Sequence, residues 1–450
     1  MFVETLLTTN LRRHFQRHIH LEPGVCVPRP RPPQPGQCDL LYVHVPFCEH
    51  LCPFCAFHRV KLNPEKARGY FAALREDIQA WYRQGYRFSD VYVGGGTPTV
   101  LPGELGSTLA LLRELFPIRH ISVETNPNHL REDVLSMLQR HGVDRLSVGV
   151  QSFDDALLRE MGRYAAYGSG SEIVERVRLA QDRFATLNID LLFNLPHQDL
   201  QSLRRDLRVV VQQLRVGQVS YYPLMSPPEI RRAISKTLGK PTLDREAAFY
   251  QAIRDGLRPT YTPASAWCFN RSSAALDEYI VEHQDFVGAG SGSFSYLGGT
   301  LYSSTFSINR YLGLVGEGCS PLVAAMPRDR REQYRYALLM GLFGLKLDKQ
   351  GLRERYGKEI FDSLRLELFV LKRLGAVQED ADYLWLTERG MYYWVALMRE
   401  FFVAVNGLRD RMRAHVPVEP GAVSCVVDGR KPVSEAAGIL AGGRHERADR

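Results

Sequence analysis

The sequence predicts an α/β fold built on a parallel sheet, followed by a smaller, mostly helical domain. Six strand-like apolar runs alternate with helix-like stretches between residues 40 and 224. Polar motifs fall directly after those runs, where the C-terminal ends of parallel strands collect functional groups. From about Asp329 onward the apolar period becomes helical.

Residues 1–39 read as an amphipathic arm and a stiff linker, and its Pro28-Arg-Pro-Arg-Pro-Pro-Gln-Pro stretch is expected to run extended rather than pack. The expected strands are 40–45, 91–93, 121–125, 145–150, 188–192 and 218–224. Helices are expected around 64–86, 102–116, 131–141, 171–184 and 200–214. Right-handed crossovers curl such units into a full or partial barrel, and an open doubly wound sheet obeys the same rule. The barrel and its extension are expected over 40–310, and a helical accessory domain over 311–415. That domain reads as helices at 334–345, 349–356 and 358–374, a turn at Gly375, a strand pair around Val377 and Leu384-Trp-Leu, and a helix through Phe402. The order suggests a winged-helix-like fold. It offers no clear basic recognition helix, so a lid or substrate-positioning role is expected. Beyond residue 416 the period disappears, and 416–450 is expected to be a disordered tail.

A chain of 450 residues, 45% hydrophobic and 24% charged, is globular and longer than one small domain. No apolar run reaches the roughly 18 residues that cross a bilayer. The start lacks a signal-peptide core before Arg12, Arg13, His14 and Arg17, so a cytoplasmic protein is expected. Eight cysteines, unevenly placed, do not make a disulfide framework. The net charge of +7 comes from arginines often adjacent to acids, which points to a solvated basic surface rather than a nucleic-acid partner. Peripheral contact with anionic lipid at the inner face of a membrane stays open.

Cys48, Cys52 and Cys55 form a Cys-x3-Cys-x2-Cys loop directly after the first strand, in Tyr42-Val-His-Val-Pro-Phe-Cys-Glu-His-Leu-Cys-Pro-Phe-Cys. Three thiolates suit a four-iron cube with one iron left unligated by protein. Structural zinc normally takes four ligands from paired knuckles, and no second Cys-x2-Cys lies nearby. Zinc, a redox dithiol and an incidental group of buried thiols are the competing readings. After the second strand comes Val93-Gly-Gly-Gly-Thr-Pro-Thr99. Its glycines can offer N–H groups to a carboxylate or carbonyls to an ammonium group. Taken alone it reads equally as a turn before a helix, and it is neither a P-loop nor a Rossmann fingerprint.

Together the two motifs, about forty residues apart, resemble the radical S-adenosylmethionine (SAM) superfamily. The resemblance implies a partial (β/α)6 TIM-like barrel and a 4Fe-4S cluster on Cys48, Cys52 and Cys55. It also implies SAM on the open iron, cleaved by one electron to a 5'-deoxyadenosyl radical. Val123-Glu-Thr-Asn-Pro127, Gly149-Val-Gln-Ser-Phe-Asp154, Met161-Gly-Arg163 and Ile189-Asp-Leu-Leu192 follow the order of the oxygen-independent coproporphyrinogen III oxidase-like (HemN-like) subgroup. By that resemblance Tyr42 contacts SAM beside the cluster, and Gly95, Gly96 and Thr97 hold its amino acid portion. Glu124, Gln151, Arg163 and Asp190 meet its polar groups, Arg163 through a guanidinium suited to a carboxylate. Read singly, Glu124 and Asp190 would each cap a helix, and Gln151 would satisfy loop backbone.

Coproporphyrinogen oxidases of this subgroup carry a further cysteine two positions after the third, where this chain has Cys55-Ala-Phe57. Haem chaperones and class C radical SAM methyltransferases lack it. His44, His50, His58, His197 and His283 form no compact motif, and His14, His18 and His20 are the better haem candidates. Tyr221-Tyr222, Trp267, the Gly-rich 285–296 segment, Ser304-Thr-Phe-Ser-Ile-Asn-Arg310, Met398-Arg-Glu-Phe-Phe402 and Asn406-Gly-Leu-Arg409 look like the methyltransferases of menaquinone carbon 8. Such aromatics line an apolar pocket or form ordinary core. The expectation is a methyltransferase that uses the cluster and two SAM molecules on a quinone, with flavodoxin or ferredoxin as electron donor. Oxidative decarboxylation of the tetrapyrrole coproporphyrinogen III and haem chaperoning are the alternatives.

Overall fold

The computed structural model describes residues 26–34, 38–272 and 283–414. Six parallel strands pair in sequence order: β1 (Leu40–Val45), β2 (Asp90–Gly95), β3 (His120–Thr125), β4 (Arg145–Gln151), β5 (Thr186–Phe193) and β6 (Gln218–Pro223). All six expected strands are present. They are the middle of a sheet of twelve strands among the described residues, whose two edges do not pair with each other. Phe286–Ala289 lies parallel to β1, and antiparallel strands Phe294–Leu297, Thr300–Ser304 and Leu322–Pro327 extend that edge. Cys268–Asn270 runs antiparallel to β6 on the other side. The result is a partial barrel.

Alternation along the strands sorts residues between the two faces of the sheet. Val43, Val91, Val123, Leu146, Val148, Ile189 and Val219 are buried with Leu74, Leu109, Leu138 and Leu203 of the surrounding helices. Each such side chain contributes about 1.5–3 kcal/mol by leaving water. The intervening positions carry polar groups that bond to one another across strands. Arg145 donates to Gln218 (2.9 Å) and Ser122 (3.1 Å), while Ser147 and Asn188 donate to Asp190 (2.9 and 2.8 Å). A strand with both faces covered thus satisfies its polar side chains internally.

The helices start where local chemistry permits. Asn63 Oδ1 accepts from Lys66 N at 2.9 Å ahead of Pro64 in helix Pro64–Arg83. Ser169 and Glu172 form a capping box at Gly170–Ala180, and Asp199 and Ser202 form another at Leu200–Arg208.

One expectation needs correcting. The described part of the proline-rich segment is extended, but it packs along the first helix. Arg29 reaches Asp77 at 2.7 Å and lies over the Trp81 ring at 5.5 Å, and Tyr86 donates to the carbonyls of Pro30 and Arg31 at 3.2 Å. Proline removes N–H donors but leaves carbonyls free to accept. The 1–25 arm, with His14, His18 and His20, and the tail from 415 onward lie outside the described residues.

The C-terminal region is mostly helical, with Arg330–Phe343, Lys349–Tyr356 and Arg365–Arg373 beside a small sheet ordered Lys346–Asp348, Tyr383–Leu386, Val377–Glu379. Its last helix, Glu388–Ala414, returns to the barrel. Trp394 Nε1 donates to Leu339 O at 2.8 Å, and buried Arg399 pairs with Glu246, from helix Glu246–Leu257, and with Glu400. Among the described residues no helix is long and apolar enough to cross a membrane.

Candidate cluster and cofactor site

The cysteine loop leaves the end of β1 and is closed by a short parallel pairing of Phe47 with Val60 and Cys48 with Lys61. Cys48 and Cys52 are each 6% exposed, and Cys55 is half-buried. Burial pushes the Cys48 thiol up to about 12, partly offset by the Thr97 hydroxyl, which donates to its sulfur at 3.5 Å. Such a thiol ionises at neutral pH only when a metal displaces its proton. Cationic groups stand ready for that charge. Arg59 donates to the carbonyls of Cys52 and Cys55, and Arg163 Nη1 donates to Cys52 Sγ at 3.4 Å. Burial works against the Arg59 charge, yet the three thiols hold its guanidinium protonated beyond the usual range.

Among the described residues no three His, Cys, Asp or Glu side chains converge on a single metal ion. A cube engages its thiolates at separate corners, so its ligands stand apart. The Nε of Arg163 is buried beside this loop with no hydrogen-bond partner among the described residues, a donor left over for a bound group. Thiolate donors, flanking cations and donors aimed at sulfur fit an iron–sulfur cluster.

The glycine motif packs directly behind the loop. A Cβ on Gly94 would stand 2.8 Å from the Glu124 carboxyl carbon, one on Gly95 2.5 Å from the His44 ring, and one on Gly96 2.7 Å from Phe47 O. Gly95 also has φ +112, a region open to glycine alone at little cost. Its N–H donates to Glu124 at 3.0 Å, while those of Gly96 and Thr97 donate to Val45 O and Phe47 O at 2.8 Å. The amide donors of Gly95, Gly96 and Thr97 are therefore committed within the protein.

The remaining expected residues are placed unequally. Glu124 also accepts from Tyr92 at 2.7 Å, and the Tyr42 hydroxyl meets His44 Nδ1 at 2.8 Å. Burial, then Arg409, pushes the His44 imidazole down to about 3. Gln151 ends β4 at a register shift with φ 76, an uncommon conformation for a side-chain-bearing residue. Asp190 sits level with Gly149 and accepts from Ser147 and Asn188 at 2.9 and 2.8 Å.

Asn126 was not singled out by sequence reasoning, and it closes a circuit. Its Nδ2 donates to Thr97 Oγ1 at 2.8 Å and its Oδ1 accepts from Arg163 Nη2 at 3.0 Å. Cys48, Thr97, Asn126, Arg163 and Cys52 are thus joined in one chain of hydrogen bonds. A further group also escaped notice: Glu49 of the loop meets His129 Nε2 at 3.0 Å, and His129 Nδ1 meets Thr99 at 2.6 Å. His44 and His58, which the sequence left unconnected, stack with centroids 5.6 Å apart.

Phe306 and Ile308 of the 304–310 segment line a pocket with Phe47 and Val60, but Trp267 and Met398 do not form the expected apolar mouth. Trp267 is 3% exposed and packs on Tyr222, Phe343 and Phe402 at 5.1, 4.8 and 5.7 Å, and Met398 is fully buried. They are core between the barrel and the C-terminal region.

The Radical SAM superfamily profile matches residues 42–207. The chain is 30% identical over 268 residues to heme chaperone HemW of Escherichia coli, covering 56% of this chain and 68% of that protein. It is 27% identical over 365 residues to heme chaperone HemW of Bacillus subtilis, covering 78% and 95%. A solved structure of coproporphyrinogen III oxidase (HemN) from Escherichia coli superposes with TM-score 0.69 at 24% identity, covering 86% of this chain and 93% of that one. These relatives overturn the menaquinone methyltransferase reading. Tyr221, Trp267 and Met398, on which that reading leaned, are packed core, so they carried no information about a substrate. The chain belongs to the radical SAM superfamily, in the group of HemN- and HemW-like proteins, and is an enzyme whose cofactors are a 4Fe-4S cluster and SAM.

Proposed function

We propose that this chain handles a tetrapyrrole, and that it binds haem as the HemW relatives are named for doing. The observation behind this is Phe57. It stands where coproporphyrinogen oxidases resemble one another in having a fourth cysteine, and it is an apolar ring, 51% exposed, that supplies no thiol. In this reading Cys48, Cys52 and Cys55 hold the cluster, with SAM against Gly95, Gly96, Thr97, Glu124, Arg163 and Tyr42. Bound there, the two groups supply one-electron cleavage of a carbon–sulfur bond. Thr97 and Arg163 donate to the thiolates, Glu124 fixes Gly95, and the burial of Cys48 and Cys52 keeps water from the sulfurs. Of the barrel histidines singled out above, His44 and His58 are 2% and 1% exposed, His197 meets Glu160 at 3.0 Å and His283 lies 3.9 Å from Asp90, which leaves a haem ligand to His50 or to His14, His18 and His20. A flavodoxin or ferredoxin suits the one-electron step, and the net charge of +7 supports peripheral contact with anionic lipid.

Oxidative decarboxylation of a coproporphyrinogen is the second reading. It is favoured by the cysteine loop and Arg163 circuit, which haem binding alone does not require. Anaerobically reconstituted protein titrated with haem should give a stoichiometric Soret band that is lost in a His14, His18, His20 and His50 quadruple alanine variant. Conversion of coproporphyrinogen III without stoichiometric haem uptake would establish the second reading. Neither behaviour would refute both.

A further inference from the structure

The last helix of the chain reaches back across the fold to the cysteine loop. Arg409, 6% exposed, donates through Nη1 to the carbonyl oxygen of Ala56 at 2.6 Å, next to the last cysteine. The same Nη1 donates to Asn406 Oδ1 at 2.8 Å, one turn back on the helix, which fixes the guanidinium's direction. Its charge lies over the Phe57 ring at 5.4 Å. One turn further on, Arg413 Nη2 donates to the carbonyl of Arg59 at 3.2 Å. Arg59 is itself the residue whose guanidinium gathers the carbonyls of Cys52 and Cys55.

The two contacts therefore grip both ends of residues 56–59, the limb on which the third cysteine ends. Within that limb the carbonyl of His58 already meets His44 Nε2 at 3.0 Å and the Arg59 guanidinium turns back onto Cys52 and Cys55. Two charge-assisted hydrogen bonds from a helix anchored by Trp394 and Arg399 add a hold from outside the loop, at Ala56 and at the carbonyl of Arg59. The cation also sits close enough to influence Tyr42 and His44 beneath the glycine motif.

We propose that Arg409 is a positioning residue for the cluster: it acts through Ala56 and Phe57, seconded by Asn406 and Arg413, to hold the cysteine loop in its ligating form and to place a positive charge beside it. The accessory domain then serves as a clamp on the metal loop. This rests on the cysteine assignment above. Groups that orient metal ligands from behind typically change metal affinity or activity by 10–100-fold when removed.

The test compares full-length wild type with Arg409→Ala and Arg409→Lys. In cluster-free protein, hydrogen exchange of the amides of residues 54–59 should speed up by tenfold or more in Arg409→Ala, with exchange in β3–β5 unchanged. After reconstitution, Arg409→Ala should lose iron to a chelator at least tenfold faster, and its reduced form should show an altered paramagnetic spectrum and a more negative potential. Arg409→Lys, which keeps the charge and one donor, should recover the potential more fully than the exchange protection. A variant that melts earlier yet keeps wild-type loop exchange and spectrum would overturn the proposal, since that is the mark of a merely structural arginine. Should Arg409→Ala fail to fold, Arg413→Ala must show the exchange effect at residue 59, and wild-type protection there would refute the clamp. If wild type takes up no iron, the cysteine assignment fails, while the exchange arm still decides the clamp.

Discussion

Replacing Asn126 with alanine should release both buried thiols at once. Asn126 makes two hydrogen bonds in the circuit, one neutral to Thr97 at 2.8 Å and one to the Arg163 cation at 3.0 Å. A neutral bond is worth about 1 kcal/mol net and a bond to a charged group about 1.5–3 kcal/mol. Arg163 Nη2 keeps Gly149 O as an alternative acceptor, so the second loss is discounted and the total comes to about 2 kcal/mol. That corresponds to roughly thirtyfold in an equilibrium constant. The loss should fall on the relation between the loop and the glycine motif, because Thr97 then turns without a donor to direct it. Urea unfolding of cluster-free protein measures the stability term, and the rate of iron loss to a chelator measures the site term. Asn126→Asp separates the two partners: its carboxylate still accepts from Arg163, but it draws the Thr97 proton away from Cys48 Sγ. It should be nearly as stable as wild type yet shed iron faster. Wild-type unfolding and wild-type iron retention in Asn126→Ala would show that the circuit does not hold the thiols.

Gly95→Ala should abolish SAM binding, measured by equilibrium dialysis of reconstituted protein, because the new Cβ meets the His44 ring at 2.5 Å in a backbone at φ +112. Gln151→Gly should relieve roughly 1–3 kcal/mol of backbone strain and raise the melting temperature while weakening SAM affinity, if the side chain serves the ligand; higher stability with unchanged affinity would return Gln151 to the loop. Asp206, fully buried with Ser152 Oγ and Phe153 N as donors, has its carboxyl raised to about 7 by burial. Its contribution to stability is complete below about pH 4 and is lost as pH rises through 7, so Asp206→Asn should gain on wild type across that interval, by up to about 4 kcal/mol, and hold a constant lead above it. Trp394→Ala should cost about 3–5 kcal/mol by opening the join between Arg330–Phe343 and the last helix, read by denaturant midpoint.

What the sequence made legible was written locally. Strand β1 could be read because Leu40 to Val45 is a compact apolar run, and the cysteine loop because its three thiols are close in sequence. The strand Lys346–Asp348 escaped because three residues with one apolar side chain make no pattern. Asn126, just before a proline, reads as an ordinary turn residue, and only the fold brings Thr97 and Arg163 to its two ends. Arg409 is more hidden still, since 353 positions separate it from Ala56. Trp267 and Phe402 misled for the opposite reason. Aromatic spacing reveals that a face is apolar, but not whether the face meets a ligand or another aromatic ring.

The same reasoning locates the information that separates one subgroup member from another. The barrel's alternating polar layer, Arg145, Ser147, Asn188, Asp190 and Gln218, is satisfied within itself. Those bonds constrain the scaffold. Discrimination must come from positions that are exposed at the loop and not consumed by such bonding. Phe57 is one, half-exposed beside the last cysteine. A single ring at that place outweighs many buried aromatics elsewhere, because a side chain already packed at 3% exposure, like Trp267, has no surface left with which to choose a ligand.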